Sequence, residues 1–242
     1  MVYTDKIFIV TGASSGIGLS ISKKLSKLGA IVIMASRNKA RLTSLSKSIL
    51  KSDLFVTDIS KFKDIDKLLE YTYNKYGKID GIISSAGIGY DASVEKTKYK
   101  IFEELIRTDY IGPSYLISKA MNYMKSNKSG VIVNISSGTA LMHIENMGAY
   151  ASVKAAMAHF ALTAREEYKK YGIQVNVVYP YITNTDFEKN TIKGEIEIDD
   201  GYGSGGYTPP EADPVSVVDE LIINAINNNI AESYAHDWMR RG

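Results

Sequence analysis

The stretch Ile7-Phe8-Ile9-Val10-Thr11-Gly12-Ala13-Ser14-Ser15-Gly16-Ile17-Gly18 decides the fold. Its first four residues are apolar and largely β-branched, which predicts a short buried strand. Apolar residues at 17, 21, 25 and 28 follow with helical spacing, so we predict a helix over 17–28. Glycines between a strand and a helix let the backbone approach a pyrophosphate, which the helix N-terminus attracts. An ordinary glycine-rich turn is the alternative. The candidate nucleotide contacts are Gly12, Ser14, Ser15, Gly16, Ile17 and Gly18.

Strands and helices alternate along the rest of the chain. Further strands are predicted at 31–34, 54–56, 79–83, 131–135 and 175–178, with a weaker one near 230–234. Helices are predicted at 38–50, 61–76, 99–125, 149–171 and 215–228, the third of them with a kink at Gly112-Pro113. Such alternation is typical of parallel strands joined by crossover helices. We therefore predict an α/β fold over 1–242: a single-domain, Rossmann-like, doubly wound parallel sheet of six to seven strands with helices on both faces.

One segment, residues 186–213, interrupts this alternation. It contains five glycines and the pair Pro209-Pro210, and it precedes the last predicted helix. Glycines suit a loop that orders when a ligand binds and then excludes water. We expect this segment to form a lid over the site.

The composition excludes several classes of function. Lys+Arg 29 against Asp+Glu 27 leaves a net charge of +2, which argues against a nucleic-acid or membrane partner. The chain has no cysteine, so thiol catalysis and cysteine-ligated metals are excluded, and its three histidines lack metal-binding spacing. We therefore predict no metal site. No signal peptide and no apolar run of the roughly 20 residues that cross a bilayer is recognisable, so a cytoplasmic location is expected.

The second predicted strand ends at Ala35-Ser36-Arg37-Asn38. An enzyme that uses NAD would place an acidic residue near position 36 to bind the ribose 2′-hydroxyl. Ser36 and Arg37 suit a 2′-phosphate instead, because a guanidinium offers forked, charge-assisted donors. The sequence therefore favours NADP(H) over NAD(H), although Arg37 could simply lie in a surface loop.

Two further strand ends contribute candidate cofactor contacts. Asp58 could accept from the adenine amino group while Ile59 packs on the ring, and Asp58 could also cap the helix that follows. The fourth strand ends in Ser84-Ser85-Ala86-Gly87, where small side chains would let a ribose lie close to the sheet. By itself, the latter pattern is no more than a turn.

The strongest chemical signal follows the fifth strand. Ser137 comes directly after it, and Tyr150 and Lys154 share one face of the next helix. A lysine ammonium within ~4 Å could favour the phenolate by up to about 4 kcal/mol at an effective dielectric of 20. That would lower the tyrosine pKa by as much as about three units from its usual value near 10. Tyr150 could then exchange a proton with a substrate oxygen that Ser137 holds by a hydrogen bond.

Together these residues resemble the short-chain dehydrogenase/reductase family in its single-domain form. The resemblance is strongest over residues 5–185. It is carried by Thr11-Gly12-(x3)-Gly16-x-Gly18, Asp58-Ile59, Ser84-Ser85-Ala86-Gly87, Ser137, Tyr150-x-x-x-Lys154 and Pro180 through Thr185. The family likeness implies an enzyme that moves hydride between NADP(H) and a carbonyl or alcohol carbon of a small molecule.

The resemblance also implies a role for each matched residue. Tyr150 would be the acid/base, Ser137 would orient the substrate oxygen, and Lys154 would bind the nicotinamide ribose. The remaining implied cofactor contacts are Ser85, Ala86, Gly87, Pro180, Ile182 and Thr185.

The chain departs from the family pattern at three places. Ser85 stands where the family usually has asparagine, and Tyr181 where it usually has glycine after Pro180. Asp109 stands at the position of the family's catalytic asparagine, so we expect it to take part in a proton relay. A carboxylate near Lys154 would partly cancel the effect of the lysine on Tyr150.

Substrate and assembly are less well defined by the sequence. His143 lies between Ser137 and Tyr150 and could bind a polar substrate group, although an ordinary loop histidine is as good an interpretation. The resemblance implies a homodimer or homotetramer formed through helices 99–125 and 149–171. The alternative function is a catalytically weak NADP-binding redox sensor or regulator, which Asp109 and Tyr181 keep open.

Overall fold

The computed structural model describes residues 1–195 and 211–240. Its strands in chain order are β1 (Ile7–Thr11), β2 (Ile31–Ser36), β3 (Ser52–Val56), β4 (Gly81–Ser84), β5 (Tyr90–Asp91), β6 (Gly130–Ile135), β7 (Ile173–Tyr179), β8 (Ile192–Lys193) and β9 (Glu232–Tyr234). Seven of them form one parallel sheet in the order β3-β2-β1-β4-β6-β7-β9. The predicted doubly wound parallel sheet is confirmed, including its weak last strand.

Helices cover both faces of the sheet, as the sequence predicts. They are α1 (Gly16–Lys27), α2 (Lys39–Ser46), α3 (Phe62–Tyr76), α4 (Tyr99–Ile106), α5 (Gly112–Met124), α6 (Gly148–Tyr168) and α7 (Val215–Asn228). Alternate side chains of β1 point to opposite faces. Ile7 and Ile9 pack in a core with residues of α3, α5 and α6, while Phe8 and Val10 pack in a second core with residues of α1 and α7.

Two predicted helices differ from the structure. The helix expected over 38–50 ends at Ser46, and the continuous helix expected over 99–125 is interrupted by a π-helical segment, Arg107–Ile111. There the Gly112 N–H donates to the Arg107 carbonyl, five residues back. Pro113 lacks the N–H that an α-helix would direct at the Asp109 carbonyl, so the helix widens here. The disturbance caused by Gly112-Pro113 therefore lies one turn earlier than expected.

A second, two-stranded sheet was not predicted. β5 pairs with β8 in parallel, and the Ile192 N–H donates to the Gly89 carbonyl over 2.9 Å. This pairing attaches residues 186–195, the beginning of the expected lid, to the end of the main sheet. Positions 196–210 of that expected lid lie outside the described residues. In the described ranges, no helix is long and apolar enough to cross a membrane.

Candidate active site

The glycine turn after β1 is shaped by close backbone approaches. Gly12 has φ +69°, and a Cβ there would lie 2.9 Å from the Ala86 backbone. A Cβ on Gly18 would lie 2.4 Å from the Gly12 carbonyl oxygen. The first turn of α1 carries no acidic side chain, and its N-cap Ser15 makes no side-chain capping bond. A tight turn that ends at a helix N-terminus without a competing anion fits the pyrophosphate of a dinucleotide.

The end of β2 meets this turn. Ser36 donates from its hydroxyl to the Ser14 hydroxyl over 2.8 Å, and Arg37 beside it is exposed. Arg41, in the first turn of α2, adds a second guanidinium, whose Nη2 lies 3.9 Å from an Asp186 carboxylate oxygen. Sequence reasoning missed Arg41, although its position four residues after Arg37 was a usable signal.

Asp58 forms a turn with Ser60 directly after β3. Its Oδ1 accepts from the Ser60 N–H at 3.1 Å and from the Ser60 hydroxyl at 2.7 Å. Burial tends to raise the pKa of Asp58, but the Ser60 bonds and Lys61 outweigh it and lower the pKa. The helix that follows begins after Lys61, so the interpretation of Asp58 as its N-cap is wrong. Ile59 is buried, and a Cβ on Gly112 would meet its carbonyl oxygen at 2.1 Å.

The turn after β4 is held by Thr11, to which the sequence analysis assigned no role of its own. Thr11 accepts at its Oγ1 from the Ser85 N–H at 3.1 Å and from the Ala86 N–H at 3.2 Å. The last residue of β1 therefore positions the neighbouring turn. Gly87 completes that turn, and a Cβ there would lie 2.5 Å from Asp109 Oδ2.

Ser137 and Tyr150 are brought together at the end of β6. The Ser137 Oγ accepts from the Thr139 N–H at 3.2 Å and from the Thr139 hydroxyl at 3.0 Å. The side chain of Tyr150 is buried, and the Ser137 hydroxyl lies close enough to oppose the rise of the Tyr150 pKa. Lys154 lies one turn further along α6, with its Nζ 5.6 Å from the centroid of the Tyr150 ring. The three residues that the sequence selected therefore lie in one cluster.

Asp109 is the fourth member of this cluster. Its Oδ2 lies 3.0 Å from Lys154 Nζ, and both side chains are buried. Its Oδ1 accepts from the Ile88 N–H at 2.9 Å, while Lys154 also donates to the Ile135 carbonyl over 3.4 Å. The π-helical segment thus places a carboxylate against the lysine that lies beside the Tyr150 ring.

Burial dominates the electrostatics of this cluster. Burial raises the pKa of Tyr150, and the charge of Asp109 raises it further. Lys154 and the Ser137 hydroxyl act in the opposite direction. Burial would lower the pKa of Lys154, but Asp109 and Tyr150 reverse this and raise it. Burial also raises the pKa of Asp109, against Lys154 and the Ile88 N–H. The expected lowering of the Tyr150 pKa is therefore wrong, because desolvation and Asp109 together outweigh one lysine.

Residues after β7 reach the cluster and the glycine turn. Thr185 faces Gly16, where a Cβ would lie 3.4 Å from the Thr185 side chain. Phe187 places its ring centroid 5.9 Å from that of Tyr150 and stays partly exposed. The Pro180 carbonyl accepts from the Gly138 N–H at 2.7 Å, while the Ile182 side chain is exposed.

The C-terminal segment packs against Tyr181, which stands where glycine is usual in the family pattern. The Tyr181 ring meets the rings of His236 and Trp238 edge-on, with centroids 5.4 and 5.2 Å away. His236 Nε2 lies 3.0 Å from an Asp213 carboxylate oxygen. Tyr181 therefore joins an aromatic group contributed by the end of the chain. His143, the histidine that the sequence analysis considered for substrate binding, is exposed.

Comparison with known proteins places this geometry in a family. A family model described as short chain dehydrogenase matches residues 6–196. An uncharacterised oxidoreductase of Staphylococcus saprophyticus is 29% identical over 192 residues, which cover 77% of this chain and 82% of that protein. The family model spans the part of the chain that carries the glycine turn and the Tyr150 cluster.

Solved structures share the whole fold. A short-chain dehydrogenase from Streptomyces avermitilis has a TM-score of 0.89 at 24% identity, covering 99% of this chain and 90% of that one. A 3-ketoacyl-(acyl-carrier-protein) reductase from Brucella melitensis, complexed with NADH, has a TM-score of 0.84 at 22% identity, covering 96% of each chain. A short-chain dehydrogenase from Sphingobium yanoikuyae, in complex with NADPH, has a TM-score of 0.82 at 20% identity, covering 95% of this chain and 87% of that one. By its sequence match and its fold, the chain belongs to the short-chain dehydrogenase family of oxidoreductases.

Proposed function

We propose that the protein is an NADP(H)-dependent oxidoreductase that interconverts a carbonyl and an alcohol on a small molecule. One observation carries the proposal: the buried Tyr150 side chain lies beside both Ser137 and Lys154 at the carboxyl end of the sheet. Ligands of doubly wound sheets bind at that end of the strands. The glycine turn that would hold the pyrophosphate belongs to the same end of the sheet.

Each residue of the cluster has a distinct task in this reaction. The bound nicotinamide supplies hydride to the carbonyl carbon or accepts it from the alcohol carbon. Tyr150 donates its proton to the carbonyl oxygen, or takes it back during alcohol oxidation. Ser137 holds that oxygen by a hydrogen bond, and Lys154 holds the nicotinamide ribose and stabilises the phenolate.

The backbone of Asp109 suits a proton relay. Its carbonyl has no α-helical donor four residues ahead, because that position is Pro113. A carbonyl left in this way can bind a water molecule that returns a proton to the site. We propose that the relay uses the carbonyl of Asp109, while its carboxylate binds Lys154.

The charges at the adenosine end support NADP(H). Arg37 and Arg41 could bind a 2′-phosphate, and Ser36 offers a hydroxyl where a carboxylate would repel it. The fold alone does not choose the cofactor, since structures of similar fold hold NADH in one case and NADPH in another. Asp58, Ile59 and the Ser85–Gly87 turn would bind the adenine and the ribose.

The surroundings of Tyr150 favour a partly apolar substrate. Phe187 and Met142 lie on the two segments that flank the cluster, residues 186–195 and the turn after Ser137. We propose that residues 186–195, the described beginning of the expected lid, close over the substrate and that His143 contacts it at the rim. For assembly, we propose a homodimer or homotetramer through α5 and α6, where Ala155 lies in an open groove with Tyr110 and Phe160.

The proposal is tested by measuring NADPH oxidation with a panel of ketones and aldehydes. Tyr150→Phe should lower kcat by roughly 10²–10⁴-fold, the usual contribution of a general acid, and leave NADPH binding intact. Tyr73→Phe, on α3 and away from the site, is the matched control and should keep full activity. Turnover that survives in Tyr150→Phe, or a protein that binds neither NADPH nor NADH, would refute the proposal.

A further inference from the structure

The Asp109 side chain lies between two hydrogen-bond donors. The Ile88 N–H donates to its Oδ1 at 2.9 Å, and the Lys154 ammonium lies 3.0 Å from its Oδ2. A carboxylate suits both neighbours, because its Oδ1 accepts from the Ile88 N–H and its negative charge pairs with the Lys154 ammonium beside Oδ2. An asparagine has one carbonyl oxygen, so its NH₂ would face one of the two donors. The site is therefore built for aspartate rather than for the asparagine that the family pattern carries.

The packing around this carboxylate leaves little freedom. Asp109 is completely buried, and the Gly87 backbone lies so close that a Cβ would come within 2.5 Å of its Oδ2. The same Cβ would be 3.3 Å from Lys154 Nζ. Asp109 thus joins the turn after β4 to α6, two parts of the chain that would both contact the cofactor.

The charge balance around Tyr150 depends on the same contact. Lys154 on α6 is the cation beside the phenol, and Asp109 in the π-helical segment neutralises it. Asp91 on β5 also acts on Tyr150 and is itself paired with Lys193 of β8 at 2.5 Å. Ser137 contributes a hydroxyl and no charge. The phenol therefore lies beside a neutral ion pair, in a buried environment that disfavours the phenolate.

We propose that Asp109 is a positioning residue that holds Lys154 and the Gly87–Ile88 turn together, and that its carboxylate extends the pH range of carbonyl reduction toward the alkaline side. This inference rests on the proposed function. During reduction, the carbonyl carbon receives hydride from the nicotinamide while the Tyr150 O–H bond breaks and its proton passes to the carbonyl oxygen. Tyr150 then regains a proton from water. Reduction continues to higher pH for as long as Tyr150 keeps that proton. Because Asp109 neutralises Lys154, the lysine favours loss of the Tyr150 proton less strongly.

The experiment compares the wild type with Asp109→Asn by ¹³C NMR on protein labelled at tyrosine Cζ, with Tyr150→Phe to assign the signal. The Tyr150 titration midpoint should fall by about one unit or more in Asp109→Asn, since loss of a nearby negative charge favours the phenolate and neighbouring charges typically act on this scale. The alkaline limb of kcat for carbonyl reduction should move down by a similar amount.

The chain offers a closely matched control in Asp80. One Asp80 oxygen accepts from the Ile7 N–H at 2.8 Å and the other pairs with Lys6 at 3.0 Å, at the opposite end of the sheet. Asp80→Asn removes the same charge from a similar set of donors, to which Lys78 adds a second ammonium at 3.1 Å. The control should leave the Tyr150 midpoint and the pH profile unchanged, whatever it does to stability.

Three results distinguish a failure of this inference from a failure of the proposed function. An unchanged Tyr150 midpoint in folded Asp109→Asn would overturn the inference. If that variant does not fold, the wild type alone decides, because a Tyr150 midpoint below the ordinary value of about 10 would also overturn it. A shifted midpoint in a protein that reduces no carbonyl compound would support the role of Asp109 and refute the proposed function instead.

Discussion

The Ser36 hydroxyl at the end of β2 donates to the Ser14 hydroxyl in the glycine turn, over 2.8 Å. This bond joins two segments that would contact different parts of the cofactor. The end of β2 would contact the adenosine ribose, and the glycine turn would contact the pyrophosphate. Neither side chain carries a charge, so the exposed Arg37 and the neighbouring Arg41 decide the electrostatics there. The contact leads directly to a prediction about the choice of cofactor.

Ser36→Asp should reverse cofactor preference. A carboxylate at this position would repel a 2′-phosphate and accept from a ribose 2′-hydroxyl. We expect NADPH affinity to fall by roughly 10–100-fold, equivalent to the loss of one or two charge-assisted contacts, and NADH affinity to rise. Fluorescence titration of both cofactors measures the change. Arg37→Ala is the companion variant: it should weaken NADPH alone, and an equal loss for NADH would contradict a 2′-phosphate site.

Gly87→Ala should destabilise the protein through the Asp109–Lys154 pair. The added Cβ would lie 2.5 Å from Asp109 Oδ2, inside van der Waals contact, and would push the carboxylate away from its partner. Overpacking of this kind lowers the free energy of unfolding by about 1–3 kcal/mol, which urea unfolding detects. Gly148→Ala meets only the Val94 side chain, at 3.2 Å, and should change stability by less than about 0.5 kcal/mol. Equal effects of the two variants would argue against this account.

Asp219 should make stability depend on pH. It lies buried between α7 and α1 and accepts from the Ser20 hydroxyl at 2.6 Å, and burial raises its pKa to about 6. A raised carboxyl pKa means that the unfolded chain ionises first, near pH 4. Stability is therefore lost as pH rises from about 4 to 6, by an amount near 3 kcal/mol.

Asp219→Asn should remove this dependence. The variant should be more stable than the wild type at pH 8 and similar to it at pH 3, because asparagine keeps an acceptor for Ser20 and never ionises. Urea unfolding of both proteins across this range gives the difference. Glu103→Gln, at an exposed position on α4, should leave the curve unchanged. An Asn variant that is less stable at pH 8 would contradict the prediction.

Ala155→Arg should disrupt the proposed assembly. Ala155 lies in an open groove on α6 with Tyr110 and Phe160, whereas Ala158 on the next turn is buried within the subunit. An arginine at 155 would place a charge in an apolar interface, so sedimentation velocity should show smaller species than for the wild type. Ala40→Arg, exposed on α2, should leave the assembly intact. A wild type that sediments as a monomer would refute the interface.

The fold and the members of the candidate site could be predicted because both follow local patterns. Short apolar runs predicted six strands of the main sheet, and parallel strands bring their carboxyl ends to one edge. Any motif that follows a strand therefore belongs to the same site, which is why Ser137, Tyr150 and the glycine turn could be grouped. Arg41 belongs to no motif that the sequence analysis used. Thr11 does belong to the glycine motif, but its bonds to the turn after β4 depend on the pairing of two strands that are distant in the sequence.

The amino-acid sequence by itself determined the order of strands and helices, the residues at the strand ends and the family likeness, since these depend on periodicity and spacing along the chain. Only the tertiary structure decided that Asp109 pairs with Lys154, that Arg107–Ile111 form a π-helical segment and that β5 pairs with β8. It also decided the direction of the Tyr150 pKa, which the spacing of Tyr150 and Lys154 had suggested wrongly. The reason is physical: desolvation and charge pairing depend on what surrounds a group in three dimensions, and residues distant in the sequence supply those surroundings.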